Sequence, residues 1–250
     1  MEPSEGAVAV EKPQELGFFA RLLGVYLAPG ETFRSIVAAP RFWAPALALT
    51  VMSVLFTGLW LSKLDVVEFI KTQNEASPRF QNQTPEQQAK ATEVGAKILK
   101  PFTAVIGVIG PILFISLAAF PLLFVFRFIY GSEVTAGQAM AIASWSFLAV
   151  RIVQTPLLLM TYFLKGDWNI PPDEVFQASP ALLLDKQAVS HALYTLLRGF
   201  DVFSFWIVCL MAIGFSQAGK SRFGSAIWGV LVPYLCVVGV SAAAVALFGG

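Results

Sequence analysis

Five stretches of this chain are apolar over about the 20 residues that an α-helix needs to cross a hydrocarbon core, the fourth becoming strongly apolar only at Val202. They lie near residues 42–61, 102–126, 136–163, 193–215 and 224–248. One soluble core could not cover so many apolar runs. Soluble domains carry about 25% charged residues, whereas only 13% are charged here and 56% are hydrophobic. In lipid every backbone amide has to be paired within its own segment, so runs of this length fold as helices. The expected fold class is all-α, a polytopic transmembrane helix bundle.

The regions between the runs are more polar. Residues 1–15 are acidic, contain Pro3 and Pro13, and read as a disordered tail. No apolar run follows a basic start, so a cleaved signal peptide is not expected. Residues 16–41 read as two short amphipathic helices, either packed under the bundle or seated at its interface. Leu16, Phe19, Leu22, Leu23 and Tyr26 share one face of the first, and Phe33, Ile36 and Val37 one face of the second. Pro29-Gly30 separates them, and Pro40 ends the pair. Residues 42–250 form the five-span membrane domain.

Trp43 and Trp60 fall near the ends of the first span, where interfacial tryptophans are enriched. In the polar stretch that follows, Thr84-Pro85-Glu86-Gln87 spells a capping box. The pairs Glu86/Lys90 and Glu93/Lys97 then predict a solvated helix feeding into the second span. Gly107 with Pro111, and Gly239 with Ala243, predict close helix approach. Ser179-Pro180 predicts a helix that leads into the fourth span.

Orientation follows from basic residues near short loops, where Lys220 and Arg222 favour the cytoplasm. The expected topology has a cytoplasmic N-terminus and an external C-terminus, in the inner membrane if the source is bacterial. A net charge of +1 gives no general attraction to nucleic acid.

Catalytic chemistry has few candidates. His191 is the sole histidine, six residues after Asp185, and Asp173-Glu174 is an isolated acidic pair. Cys209 and Cys236 lie in apolar runs and read as small hydrophobes. One histidine and two separated cysteines do not build an ordinary zinc site, and no nucleotide-loop, metalloprotease or hydrolase motif is present. No catalytic residue, cofactor or metal is expected.

Charge inside the spans is the sharper signal. Arg151 falls near the middle of the third span, where an unpaired charge costs several kcal/mol. Ser144, Gln154 and Thr155 share its face at i−7, i+3 and i+4. Asp201 lies about 12 Å into the fourth span and Arg151 about 18 Å into the antiparallel third, counting from the same side at 1.5 Å per residue. An Arg151–Asp201 pair is therefore expected. It would serve as a packing brace, or line a polar pathway or lipid-headgroup site, unless Arg151 snorkels to an interface.

Two segments carry a family resemblance. PGETFRSIVAAPRFWAP (Pro29 to Pro45) and FDVFSFWIVCLMAIGFS (Phe200 to Ser216) resemble the approach to the first span and the fourth span of the Yip domain family. The resemblance singles out Pro29, Phe33, Asp201 and Phe203, and the order of spans and loops extends it over nearly the whole chain. It implies a non-enzymatic polytopic protein, a scaffold or adaptor in membrane organisation or traffic. The expected partners are the lipid bilayer and other membrane proteins. Eukaryotic members are associated with Rab-type GTPases. This chain lacks a DLYGP-like signature and has a short region before the first span, which argues against small-GTPase binding and for a prokaryotic-type member. The alternative is a small transporter, channel or lipid-handling protein that uses the Arg151/Asp201 region.

Overall fold

The computed structural model describes residues 16–75, 78–184 and 189–248, and its regular elements are all helical among them. The expected tail at 1–15 and Asp185 lie outside the described residues. Helices α1 (Phe18–Leu27) and α2 (Pro29–Ala38) form a hairpin. Ala28 between them sits at φ −144°, ψ 64°, because a residue before proline is pushed out of the helical region. The first long helix is α3 (Trp43–Lys63), followed by α4 (Val66–Glu75) and the short α5 (Pro78–Gln81).

Helix α6 (Pro85–Phe124) is continuous from the predicted solvated segment into the membrane. Its first turn is held by the predicted capping box, with Gln87 N–H donating to Thr84 Oγ1 at 3.4 Å and Thr84 N–H to Gln87 Oε1 at 3.0 Å. It ends in a π-helical turn over Val125–Ile129. Helix α7 (Ala136–Lys165) starts on a second capping box, Thr135 with Gln138. After α8 (Pro172–Val175) come α9 (His191–Arg198), α10 (Val202–Ala218) and α11 (Phe223–Phe248). Among the described residues four helices are long and apolar enough to cross a membrane, and α9 with α10, bent by 47°, make a fifth candidate.

The first half of α7 is the axis of the bundle. Residues from Ala139 to Val150 are buried apart from the half-buried Phe147, and α1, α2, α3, α6 and α10 pack on α7. Most are small, so neighbours approach closely. A Cβ at Gly214 of α10 would stand 2.5 Å from Ile142 and 3.0 Å from Phe33, which leaves only glycine at that crossing. The tight turns α6–α7 and α10–α11 share one face of the bundle, where Gly219 lies against Ser132. The long connections occupy the opposite face.

Several expectations need correction. The fourth span is not one helix, because Gly199 and Phe200 interrupt it. The helix expected from Ser179-Pro180 is only a 3-10 turn over Pro180–Leu183. Trp60 is no lipid-facing belt residue. It is buried in a small second core with Leu64, Phe69, Tyr162 and Val175, and its Nε1 donates to the Trp168 carbonyl at 3.0 Å. Trp43, by contrast, is exposed. Gly107 does abut Thr57 of α3, but Gly239 faces open space. Both thiols, Cys209 and Cys236, are free and exposed on the bundle surface, where a small apolar group suits lipid.

Candidate functional site

The break between α9 and α10 gathers a concentrated polar knot within the apolar part of the chain. Gly199 is pressed against Val238 of α11, so that any Cβ there would stand 2.4 Å from a methyl group. Asp201 then caps α10. Its carboxylate accepts from Ser204 N–H at 3.0 Å and from Ser204 Oγ at 3.3 Å, which satisfies donors the helix start would leave open. Tyr234 Oη of α11 donates to the Gly199 carbonyl, and Val202 N–H donates to the Ala178 carbonyl at 3.1 Å. Below the break, Arg198 pairs with Asp173. Asp173, one of the acidic pair, thus anchors α9 to α8.

Arg151 rises about 22 Å along α7 from Ala136, and Asp201 about 25 Å along α10 from Ala218. They therefore sit at nearly one height. Arg151 Nη1 donates to Gln154 Oε1 at 2.8 Å. No ion pair within 4 Å joins Arg151 to Asp201 among the described residues. The cap explains this, because both Asp201 hydrogen bonds turn its carboxylate toward its own helix. Arg151 is exposed on the flank of the bundle. By chemistry the layer can offer an anion a guanidinium and an amide; a carboxylate at the same height selects against a second negative charge close by.

The remaining residues of the polar stripe divide. Gln154 engages Arg151, Thr155 is half-buried, and Ser144 is fully buried with its hydroxyl turned to the Ala141 carbonyl at 3.0 Å. Of the motif positions, Pro29 opens α2, Phe33 fills the crossing beside Gly214, and Phe203 is buried against Phe176. Sequence reasoning placed Tyr26 on a face of α1 but missed its contacts: its hydroxyl donates to the Ala149 carbonyl at 2.5 Å and its ring lies 6.0 Å from that of Trp206. It also missed the break itself. A glycine with an aspartate two residues on, just before an apolar run, is a readable helix start, and the hydrophobic run concealed it.

A family model for the Yip1 domain matches residues 23–245. Comparison with curated proteins and with solved structures returned no match. The match begins within α1, takes in the hairpin, the interrupted fourth span and all of the long helices, and so coincides with the folded unit rather than with one motif. The chain is a multi-pass membrane protein that belongs to the Yip1 domain family.

Proposed function

We propose that the protein is a non-enzymatic scaffold that holds another membrane protein at the bilayer surface. The observation that carries this reading is the arm on the long-connection face. The first 16 residues of α6, Pro85 to Lys100, mix charged and apolar side chains and continue the helix for about 24 Å beyond its uniformly apolar part. Helix α4 packs along them with Ile70 against Gly95. Between the two helices runs a groove of about 550 Å³ with an apolar side, Val66, Val67, Ala89 and Ala96, and a polar side that includes Glu93, Lys97 and Lys100. Val67, Val94 and Ile98 remain exposed, on a post stiffened at its foot by the membrane helix. A photo-crosslinking residue at Ala89, which is exposed and lines the groove with Val67, should give in native membranes a protein adduct that Val67→Glu abolishes. Lipid adducts alone, or an adduct indifferent to Val67→Glu, overturn the reading. In this reading the short-turn face, with Arg34, Arg41, Arg127, Lys220 and Arg222, is the cytoplasmic one.

A second reading is favoured by the exposure of Arg151. An arginine on the flank of an apolar helix is stabilised by a lipid phosphate, and a broken helix beside it lets a headgroup approach. Purified protein in liposomes should then move labelled phospholipid between leaflets, and Arg151→Leu should abolish that movement. Equal rates in protein-free liposomes reject this alternative.

A further inference from the structure

We propose that the hydrocarbon boundary of one leaflet runs between the two helices of the N-terminal hairpin, with α1 among acyl chains and α2 in the headgroup layer. The first support is register. Helix α2 meets α7 near its start: Pro40 lies by Gly137, Gln138 Nε2 donates to the Val37 carbonyl at 3.2 Å, and Phe33 and Ile142 converge on Gly214. Helix α1 meets α7 further along, Phe18 with Trp145 at a centroid distance of 5.2 Å and Tyr26 with Ala149. Compared end by end, Tyr26 with Phe33 and Phe18 with Val37 or Pro40, the two sets of contacts differ by about 10–12 Å of rise along α7. The short-turn face lies at the start of α7, so α1 is the deeper helix.

The second support is the chemistry of the outward faces. On α1, Phe19, Leu23 and Leu27 recur every four residues and are 76%, 61% and 83% exposed. On α2, the exposed residues include Glu31 and Arg34, and Arg34 Nε donates to Gln217 Oε1 at 3.4 Å near the end of α10. One hairpin thus carries an apolar outer stripe at the deeper level and a charged one at the shallower level. A lipid surface matches that order of layers, because interfacial helices bury an apolar face about 5–10 Å into the acyl boundary and keep charge at the headgroups. The connection tolerates this depth. Ala28 N–H donates to Gly24 at 2.8 Å, the Ala28 carbonyl accepts from both Thr32 N–H and Thr32 Oγ1, and Pro29 has no N–H to satisfy. Arg21, 3% exposed, donates to the Ala39 carbonyl at 3.2 Å and ties the deep helix to the surface end of α2. The hairpin therefore adds cross-section to one leaflet only.

Spin labels test the boundary in the full chain, reconstituted in lipid nanodiscs with Cys209→Ser and Cys236→Ser. Single cysteines at Leu23, Leu27, Glu31 and Arg34 would be compared with Val240→Cys on the lipid-facing side of α11 and Glu133→Cys in the α6–α7 turn. Labels at 23 and 27 should collide with oxygen as freely as at 240 and be shielded from a water-soluble nickel chelate. Labels at 31 and 34 should meet the chelate nearly as freely as at 133. Chelate access at 27 equal to that at 133 overturns the proposal, as does full shielding at 31. The unsubstituted protein supplies an independent readout. A diazirine placed in a phospholipid acyl chain should modify the peptide containing Leu23 and Leu27, while a water-soluble carbodiimide with an amine should modify Glu31; the reverse pattern also overturns it.

Discussion

Asp201 could stabilise the protein as a cap or as a charge facing Arg151, and substitutions separate the two. Asp201→Ala removes the acceptor for Ser204 N–H and Ser204 Oγ. Losing an aspartate cap costs about 0.5–2 kcal/mol, and the hydroxyl of Ser204 loses a charge-assisted partner worth about 1.5 kcal/mol or more. Together these give about 2–3 kcal/mol, or about 4–12 °C in midpoint for a chain of 150–250 residues. Asp201→Asn keeps an acceptor oxygen and discards the charge. Because no ion pair within 4 Å joins Asp201 to Arg151, and Arg151 is held by Gln154, the asparagine variant should lose no more than about 0.5 kcal/mol, the scale of a weak exposed charge interaction. Thermal unfolding followed by size-exclusion of detergent-solubilised protein reads both. The Asp201→Leu and Arg151→Leu effects should also add within about 0.5 kcal/mol in the double variant, as for uncoupled sites. If asparagine destabilises as much as alanine, or if the double variant restores stability, the cap argument fails and the charge pair is the brace.

Three further outcomes follow from packing. Gly214→Ala should destabilise by about 1–3 kcal/mol through overpacking against Ile142 and Phe33, whereas Gly239→Ala, which meets nothing within 4 Å, should leave the unfolding midpoint unchanged; equal shifts would refute the α2–α7–α10 crossing. Tyr26→Phe deletes the hydroxyl that reaches Ala149 and should cost about 0.6–2 kcal/mol, as interhelical bonds in membranes do. Its clearest sign would be faster proteolysis of the hairpin, and no change in cleavage would argue against the contact. Trp60→Phe leaves the Trp168 carbonyl without its donor and should cost about 1–3 kcal/mol, read as loss of tryptophan fluorescence cooperativity on heating; an unaltered transition would refute burial of Trp60.

Much of the architecture was legible because lipid imposes a simple rule on sequence. A long apolar run has to be a helix, and its length sets its reach, so α3, α6, α7 and α11 follow from hydropathy alone. Local chemistry was equally legible at Thr84, where side chain and proline together fix a helix start. Hydropathy failed at Gly199–Asp201, since a run that is apolar on both sides of a break looks like one span. It also misread Trp60, because burial in protein and burial at an interface select the same residue. Counting residues brings Arg151 and Asp201 to one level, but it leaves the direction of the Asp201 carboxylate open. That depends on whether its nearest donors lie on its own helix or on a neighbour, and a count of residues contains no azimuth.

By itself the sequence determined that the chain crosses a membrane several times and where most of the long helices begin. Those properties depend on the transfer of single residues between water and lipid and on rise per residue along one helix. Tertiary structure decided the rest: that Asp201 is a cap instead of a salt-bridge partner, that Gly214 admits α2 into the groove between α7 and α10, and that the hairpin presents an apolar stripe at one depth and a charged one at another. Each depends on which side chains meet across helices, and that choice is made by shape, between segments far apart in the chain.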